Sequence, residues 1–160
     1  MKFSNSHKAP LYNSIIIVPM LILLMGSGAF LLGVNTYGLL GTSLFMGMII
    51  VPVVLLLIVS LRGRQIFEYD SEGETLNLSN KGSLFRGKFI NDEFPKYKLQ
   101  HYEIVDLLVL RRLYITISSK RNRPIILKYE ISYLTPTQLR ELCSCLDEVI
   151  KNNQENRQEP

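Results

Sequence analysis

The amino-acid sequence predicts a membrane α-helical hairpin followed by a mainly-β domain that ends in an amphipathic helix. Three observations carry this expectation. Residues 9–61 contain no Asp, Glu, Lys, Arg or His. Beyond them, apolar residues recur with period two in short runs, the mark of half-buried strands. Over residues 139–150 they recur at helical spacing on one face.

The charge map sets the domain boundaries. All 14 acids lie beyond Leu61, as do all of the 18 bases except Lys2 and Lys8. This predicts a cytoplasmic tail over 1–14, a hairpin over 15–61, a β domain over 62–151 and a disordered tail over 152–160, where almost nothing is available to bury. Residues 15–34 and 39–61 each approach or exceed the roughly 20 residues a helix needs to cross about 30 Å of hydrocarbon. Between them "NTYG", 35–38, favours a turn. A connection that short makes the spans antiparallel and brings both ends out on one side.

A cleavable signal peptide fits poorly. The apolar core is too long, "GSGAFLLG" is a weak cleavage site, and no Cys stands nearby to accept a lipid. Lys2 and Lys8 precede the first span, Arg62 and Arg64 come after the second, and the connecting loop has no base. Positive residues stay inside, which predicts a two-pass, N-in/C-in protein of the inner membrane. Tyr12 and Tyr37 fall near opposite interfaces.

Ala29 and Gly33 in the first span, and Ser43 and Gly47 in the second, are small pairs four apart at one depth. They let backbones approach closely, either within the hairpin or at an oligomer contact or pore. Pro19 and Pro52 are expected to kink their helices. Neither span has an ionisable group, which argues for an anchor rather than a transport path.

Past Gln65, Phe67 and Tyr69 alternate with Glu68 and Asp70. "SEGE" turns the chain, and Leu76 and Leu78 alternate with Asn77 and Ser79. Phe85 and Phe89 flank Arg86 and Lys88 in a third candidate strand, interrupted by Gly87; "NDEFP" reads as a loop. In "KYKLQHYEIV" the apolar parity changes, which predicts a bulge near His101. "LLVL", 107–110, reads as a short buried strand or a sticky loop, the strand being preferred. Leu113, Ile115 and Ile117, then Ile125, Leu127, Tyr129, Ile131 and Tyr133, form an antiparallel hairpin about "KRNR".

The last helix has its start written out. Thr135 is the N-cap, Pro136 suits the first position, Gln138 completes a capping box, and Leu134 and Leu139 form a staple. Leu142, Cys143, Leu146, Val149 and Ile150 continue its apolar face. About seven antiparallel strands closed by the "YLTPTQLRELCSCL" helix resemble the pleckstrin-homology (PH) fold. The whole chain resembles bacterial membrane proteins that carry a transmembrane helix pair followed by a PH-like domain. That resemblance implies a split barrel capped at one open end by the helix.

No catalytic, cofactor or metal constellation emerges. His7 lies in the tail, and His101 has no partner at ligand spacing. Cys143 and Cys145 point about 200° apart on a helix, which predicts free thiols, Cys143 packed and Cys145 exposed. An enzyme is not expected, nor a cofactor. Charge is the more suggestive signal. Residues 67–80 carry Glu68, Asp70, Glu72 and Glu74 and no base, whereas bases outnumber acids over 81–128. Lys96, Lys98, Arg111, Arg112, Lys120, Arg121 and Arg123, with Arg62 and Arg64, could rest on an anionic inner leaflet at roughly 1 kcal/mol per base, or stand as ordinary solvated charges. Phosphoinositide-binding PH domains carry bases where this chain has "DSEGE", which speaks against an inositol-phosphate pocket. Scattered bases without aromatic stacking speak against nucleic acid. The expected role is a membrane-anchored binding or scaffolding module for anionic lipid headgroups or a protein partner. The alternative is a small structural or regulatory subunit of a larger complex, through self-association or a membrane-protein partner.

Overall fold

A computed structural model of the chain describes residues 2–31, 38–82, 89–119 and 123–158. The chain forms two compact units: Met1–Ala9 with Arg62–Pro160, and Pro10–Leu61.

The first unit is built on two antiparallel sheets. One has the order β1-β2-β3-β4, from Lys2–Ser4, Ile66–Asp70, Thr75–Lys81 and Ile90–Pro95. The other is β5-β6-β7, from Leu99–Leu107, Leu110–Ile117 and Ile125–Glu130. The described residues therefore give seven strands, the expected number, in two sheets that do not close into a barrel. Inward-facing Phe67, Leu76 and Phe94 of one sheet share a buried core with Leu113, Ile115 and Tyr129 of the other. Leu142 and Leu146 of α3, Pro136–Gln158, complete it.

Two of the seven strands are not those the sequence pattern indicates. Residues 2–4, expected in a tail, form β1 and pair with β2 at Lys2↔Asp70, Phe3↔Tyr69 and Ser4↔Glu68. The free edge of β2 supplies hydrogen-bonding groups, and the Phe3 ring packs on Phe67 and Tyr69 at 6.0 and 5.6 Å. "NDEFP", expected as a loop, lies within β4: Phe94 is buried opposite Leu76 while Asn91 and Glu93 face water. Its polar residues are poor strand formers alone, but the ladder with β3 holds them. Of the third candidate strand, 85–88 lie outside the described residues and Phe89 belongs to no strand.

The bulge between Leu99 and His101 is present. Tyr97 lies before it, in a single 3-10 turn over Lys96–Lys98. "LLVL" is a hairpin tip rather than a buried strand: Leu107 pairs with Leu110, and Leu108 and Val109 make the turn. The β6–β7 hairpin forms as expected, with Ile115 opposite Leu127.

In α3 the capping box is made. Thr135 N donates to Gln138 Oε1 at 3.1 Å, and Gln138 N donates to Thr135 Oγ1 at 3.3 Å. The helix does not stop near Lys151 but continues to Gln158. Asn153 explains this, since its amide donates to the carbonyls of Lys96 and Leu99 at 2.7 and 3.0 Å. Both cysteines are free thiols and half-buried; Cys145, expected exposed, packs against the core. Burial pushes its thiol above the ordinary cysteine range.

The second unit contains most of α1, Ala9–Leu31, and of α2, Gly38–Arg62, with Pro19 and Pro52 inside them. The first helix starts six residues before the span indicated by hydropathy, because Pro10 and Leu11 to Ser14 continue its turns. Residues 32–37, with the end of that span and most of the "NTYG" turn, lie outside the described residues. By length and composition, the 24-residue stretch Ser6–Ala29 is apolar enough to cross a membrane; the described apolar stretch Met46–Arg62 is shorter. The helices approach at Gly26, where a methyl group would stand 3.5 Å from Met48 Cβ.

Of the expected packing residues, Ala29 is half-buried, Ser43 lies within α2 and Gly33 lies outside the described residues. Gly47 faces open space, on an apolar groove of about 370 Å³ between Pro19, Ile22 and Val51. Gly26 is the close approach that the four-residue spacing did not identify.

Candidate functional site

The chain leaves the β domain at Ala9 and returns at Arg62, and one side chain ties these points together. Asn5 is fully buried. Its Nδ2 donates to the Gln65 carbonyl at 2.9 Å, and its Oδ1 accepts from Phe67 N at 2.8 Å. A primary amide has both functions, so one residue satisfies the strand on either side of a buried position. The Asn5 carbonyl then accepts from Lys8 N at 3.0 Å and turns the chain toward α1.

The returning strand is clamped as firmly. Arg62 Nη2 donates to the Ser132 carbonyl at 3.2 Å, and its guanidinium carbon lies 4.7 Å from the centroid of the Tyr133 ring. Gly63 has φ +80°, and a methyl group there would strike the Glu130 carboxylate. That carboxylate accepts from Arg64 N at 2.6 Å and pairs with the Arg64 guanidinium at 3.6 Å. Asn80 donates to the Glu130 carbonyl at 2.6 Å. Arg62 and Arg64 are thus turned onto residues 130–133, rather than free charges at a surface.

Arg111 and Arg112 join the same cluster. Arg111 N donates to Ser132 Oγ at 2.9 Å, Ile131 N donates to the Arg111 carbonyl at 2.9 Å, and Arg112 stands opposite Glu130 in the ladder. The Arg111 guanidinium forms an ion pair with Asp106 across the β5–β6 hairpin. Just beyond that pair is the tip, where Leu107, Leu108 and Val109 are 53%, 109% and 43% exposed. No local pattern indicates that these three residues stand beside the helix connection.

The remaining bases lie at the other end of β6. Ser118 N donates to the Lys98 carbonyl at 2.8 Å, which places Lys96 and Lys98 by the β6–β7 connection together with the exposed Arg123. Lys120 and Arg121 lie outside the described residues. From Arg111 to Ile117 β6 runs six residue steps, about 20 Å at 3.3 Å per residue. The bases therefore divide between two ends of one sheet.

Two polar surfaces complete the unit. On the first sheet, burial alone would raise the Glu68 carboxyl, but hydrogen bonds from Ser79 at 2.9 Å and Ser4 at 3.3 Å, with Lys81 at 3.4 Å, hold it below the ordinary range. Beside α3, a cavity of about 440 Å³ is lined by Ser71, Glu74, Lys96, Cys145 and Asn153 among others. Among the described residues no three His, Cys, Asp or Glu side chains come together as a metal-binding set. Comparison with family models, with curated proteins and with solved structures found no match.

Proposed function

We propose that the chain is a membrane-anchored, PH-like binding module held at the cytoplasmic face of the inner membrane. The pairing of β1 with β2 is the observation that carries this reading. Strands hydrogen-bonded in one sheet lie on the same side of any bilayer, so the segment between them crosses an even number of times. The Ser6–Ala29 stretch of 24 residues is about 36 Å long at 1.5 Å per residue, more than the roughly 30 Å of hydrocarbon. If α1 crosses, α2 must return, which is the two-pass hairpin of 15–34 and 39–61. Bases at both ends of that segment and none in its loop favour N-in/C-in.

Four strands, then three, then a helix is an order compatible with a PH-like domain. The excess of bases over acids in residues 81–128 favours anionic headgroups as what the module meets first. A second reading, a subunit of a larger membrane complex, draws on β7: it is an edge strand, and its Ile125 and Ile126 are exposed.

Cysteine mapping in intact cells tests the anchor. In a chain with Cys143 and Cys145 changed to Ser, a membrane-impermeant maleimide should label Thr36→Cys and spare Arg123→Cys until lysis. Labelling of Arg123→Cys in intact cells, or recovery of the protein in an alkaline wash, would refute the reading. Sizing in mild detergent tests the second: a stable assembly lost on Ile126→Lys supports it, and a monomer removes it.

A further inference from the structure

We propose that the β5–β6 tip, Leu107 to Leu110, is a hydrophobic wedge that enters the interfacial layer of the bilayer anchoring the chain. The inference rests on the membrane reading and adds a specific contact to it. Leu108 and Val109 occupy a two-residue hairpin turn, where Asn, Asp and Gly suit the backbone and bulky apolar residues confer no conformational advantage. They are also unpacked. Leu108, at 109% exposure, has no share in the core, and Leu107 and Val109 remain about half exposed.

Position selects lipid as the occupant. Ser132 accepts from Arg62 through its carbonyl and from Arg111 N through its hydroxyl, so one residue joins the return point of the membrane segment to the base of the tip. The tip is therefore on the end of the β domain from which the chain departs for α1 and to which it returns from α2. Charge fits as well. Asp106, next to the tip, is neutralised by Arg111, so its carboxylate does not oppose an anionic headgroup layer. Arg112 adds a base behind it. Apolar residues projecting past a rim whose acid is paired are suited to the headgroup boundary of a bilayer.

The sequence contains no tryptophan, so a single substitution gives a unique fluorophore in the full-length chain. Leu108→Trp, Arg123→Trp and Leu24→Trp are each reconstituted in vesicles containing phosphatidylglycerol and lipids brominated at a shallow or a deep acyl position. Leu108→Trp is expected to be blue-shifted and quenched more by shallow than by deep bromine. Arg123→Trp, at the opposite end of β6, is expected to be red and unquenched. Quenching of Leu24→Trp with none of Leu108→Trp would overturn the wedge and leave the membrane anchor standing. A blue-shifted but unquenched Leu108→Trp would also overturn it, because the tip would then be packed on protein. Absence of quenching at Leu24→Trp would overturn the anchor itself, and the wedge with it.

Discussion

Asn5 and Phe67, 62 residues apart, are joined by a 2.8 Å hydrogen bond from the Phe67 backbone to the Asn5 side chain. The opposite face of the same amide holds the Gln65 carbonyl. With the Phe3 ring on Phe67, these contacts make a short N-terminal strand part of a domain whose remainder begins past residue 61.

Asn5→Ala removes both bonds and leaves the Phe67 backbone donor buried without its acceptor, at about 1–3 kcal/mol. The thermal midpoint of the detergent-solubilised protein should fall clearly when unfolding is monitored by circular dichroism. Asn5→Asp keeps the acceptor for Phe67 N but sets a buried carboxylate against the Gln65 carbonyl, and should lose at least as much at neutral pH. Equal midpoints for wild type and Asn5→Ala would show that the tie does not matter.

Gly63 and Gly73 form an internal control. Both have positive φ, 80° and 76°, so alanine at either costs about 1 kcal/mol of backbone strain. Only at Gly63 does the added methyl meet another group, the Glu130 carboxylate that holds Arg64. Gly63→Ala should therefore destabilise by more than Gly73→Ala in denaturant titration. Equal losses would mean that Glu130 gives way freely.

Acid should weaken the first sheet. The folded Glu68 carboxyl lies below its ordinary value of 4.5. Its contribution is thus complete above that value and lost as the pH falls through the lower folded one. Glu68→Gln should flatten the acid limb of a stability–pH curve below the ordinary carboxyl value. An unchanged limb would remove Glu68 as its source.

Alkali acts through buried phenols. Burial raises Tyr69 to about 12. Burial, then the bond to Asp92, raises Tyr129 further, and burial with the bond to Asp147 does the same for Tyr102. The unfolded chain releases these protons near pH 10 while the folded one keeps them, so stability falls from about pH 10 upward. Phenolate absorbance should rise together with unfolding, and Tyr129→Phe should reduce the slope. Ionisation complete before unfolding would contradict the burial of the Tyr69 and Tyr129 rings.

Asn153 tests the extent of the last helix. Asn153→Ala removes two bonds to the carbonyls of Lys96 and Leu99 and should cost about 1–2 kcal/mol. Truncation after Lys151 should cost at least as much. If both variants melted like wild type, the end of α3 would be dispensable.

Some elements were legible because a local rule was strong enough to specify them. The β6–β7 hairpin arises from six alternating apolar residues around one polar turn, and α3 begins where Thr135, Pro136 and Gln138 satisfy each other within four residues. The bulge after Leu99 was visible as a parity change. Other elements obey no local rule. Lys2–Ser4 is too short to show a period, and Ile90–Pro95 presents one buried aromatic among polar residues. At 107–110, four apolar residues favoured a buried strand, whereas they form an exposed hairpin tip. Charge counting identified the bases without their partners, so Arg62 and Arg64 read as surface charges although Ser132 and Glu130 bind them.

Residue order alone was enough to set a charge-free stretch over 9–61, a mainly-β domain after it and the start of the closing helix. These depend on solvation, on side-chain period and on contacts within a few residues. Long-range folding was needed to pair β1 with β2, to gather four arginines around residues 130–133, and to bring Leu108 to the same end of the domain as Arg62. Each of those depends on a hydrogen bond or packing contact between distant segments, whose partner no local pattern names.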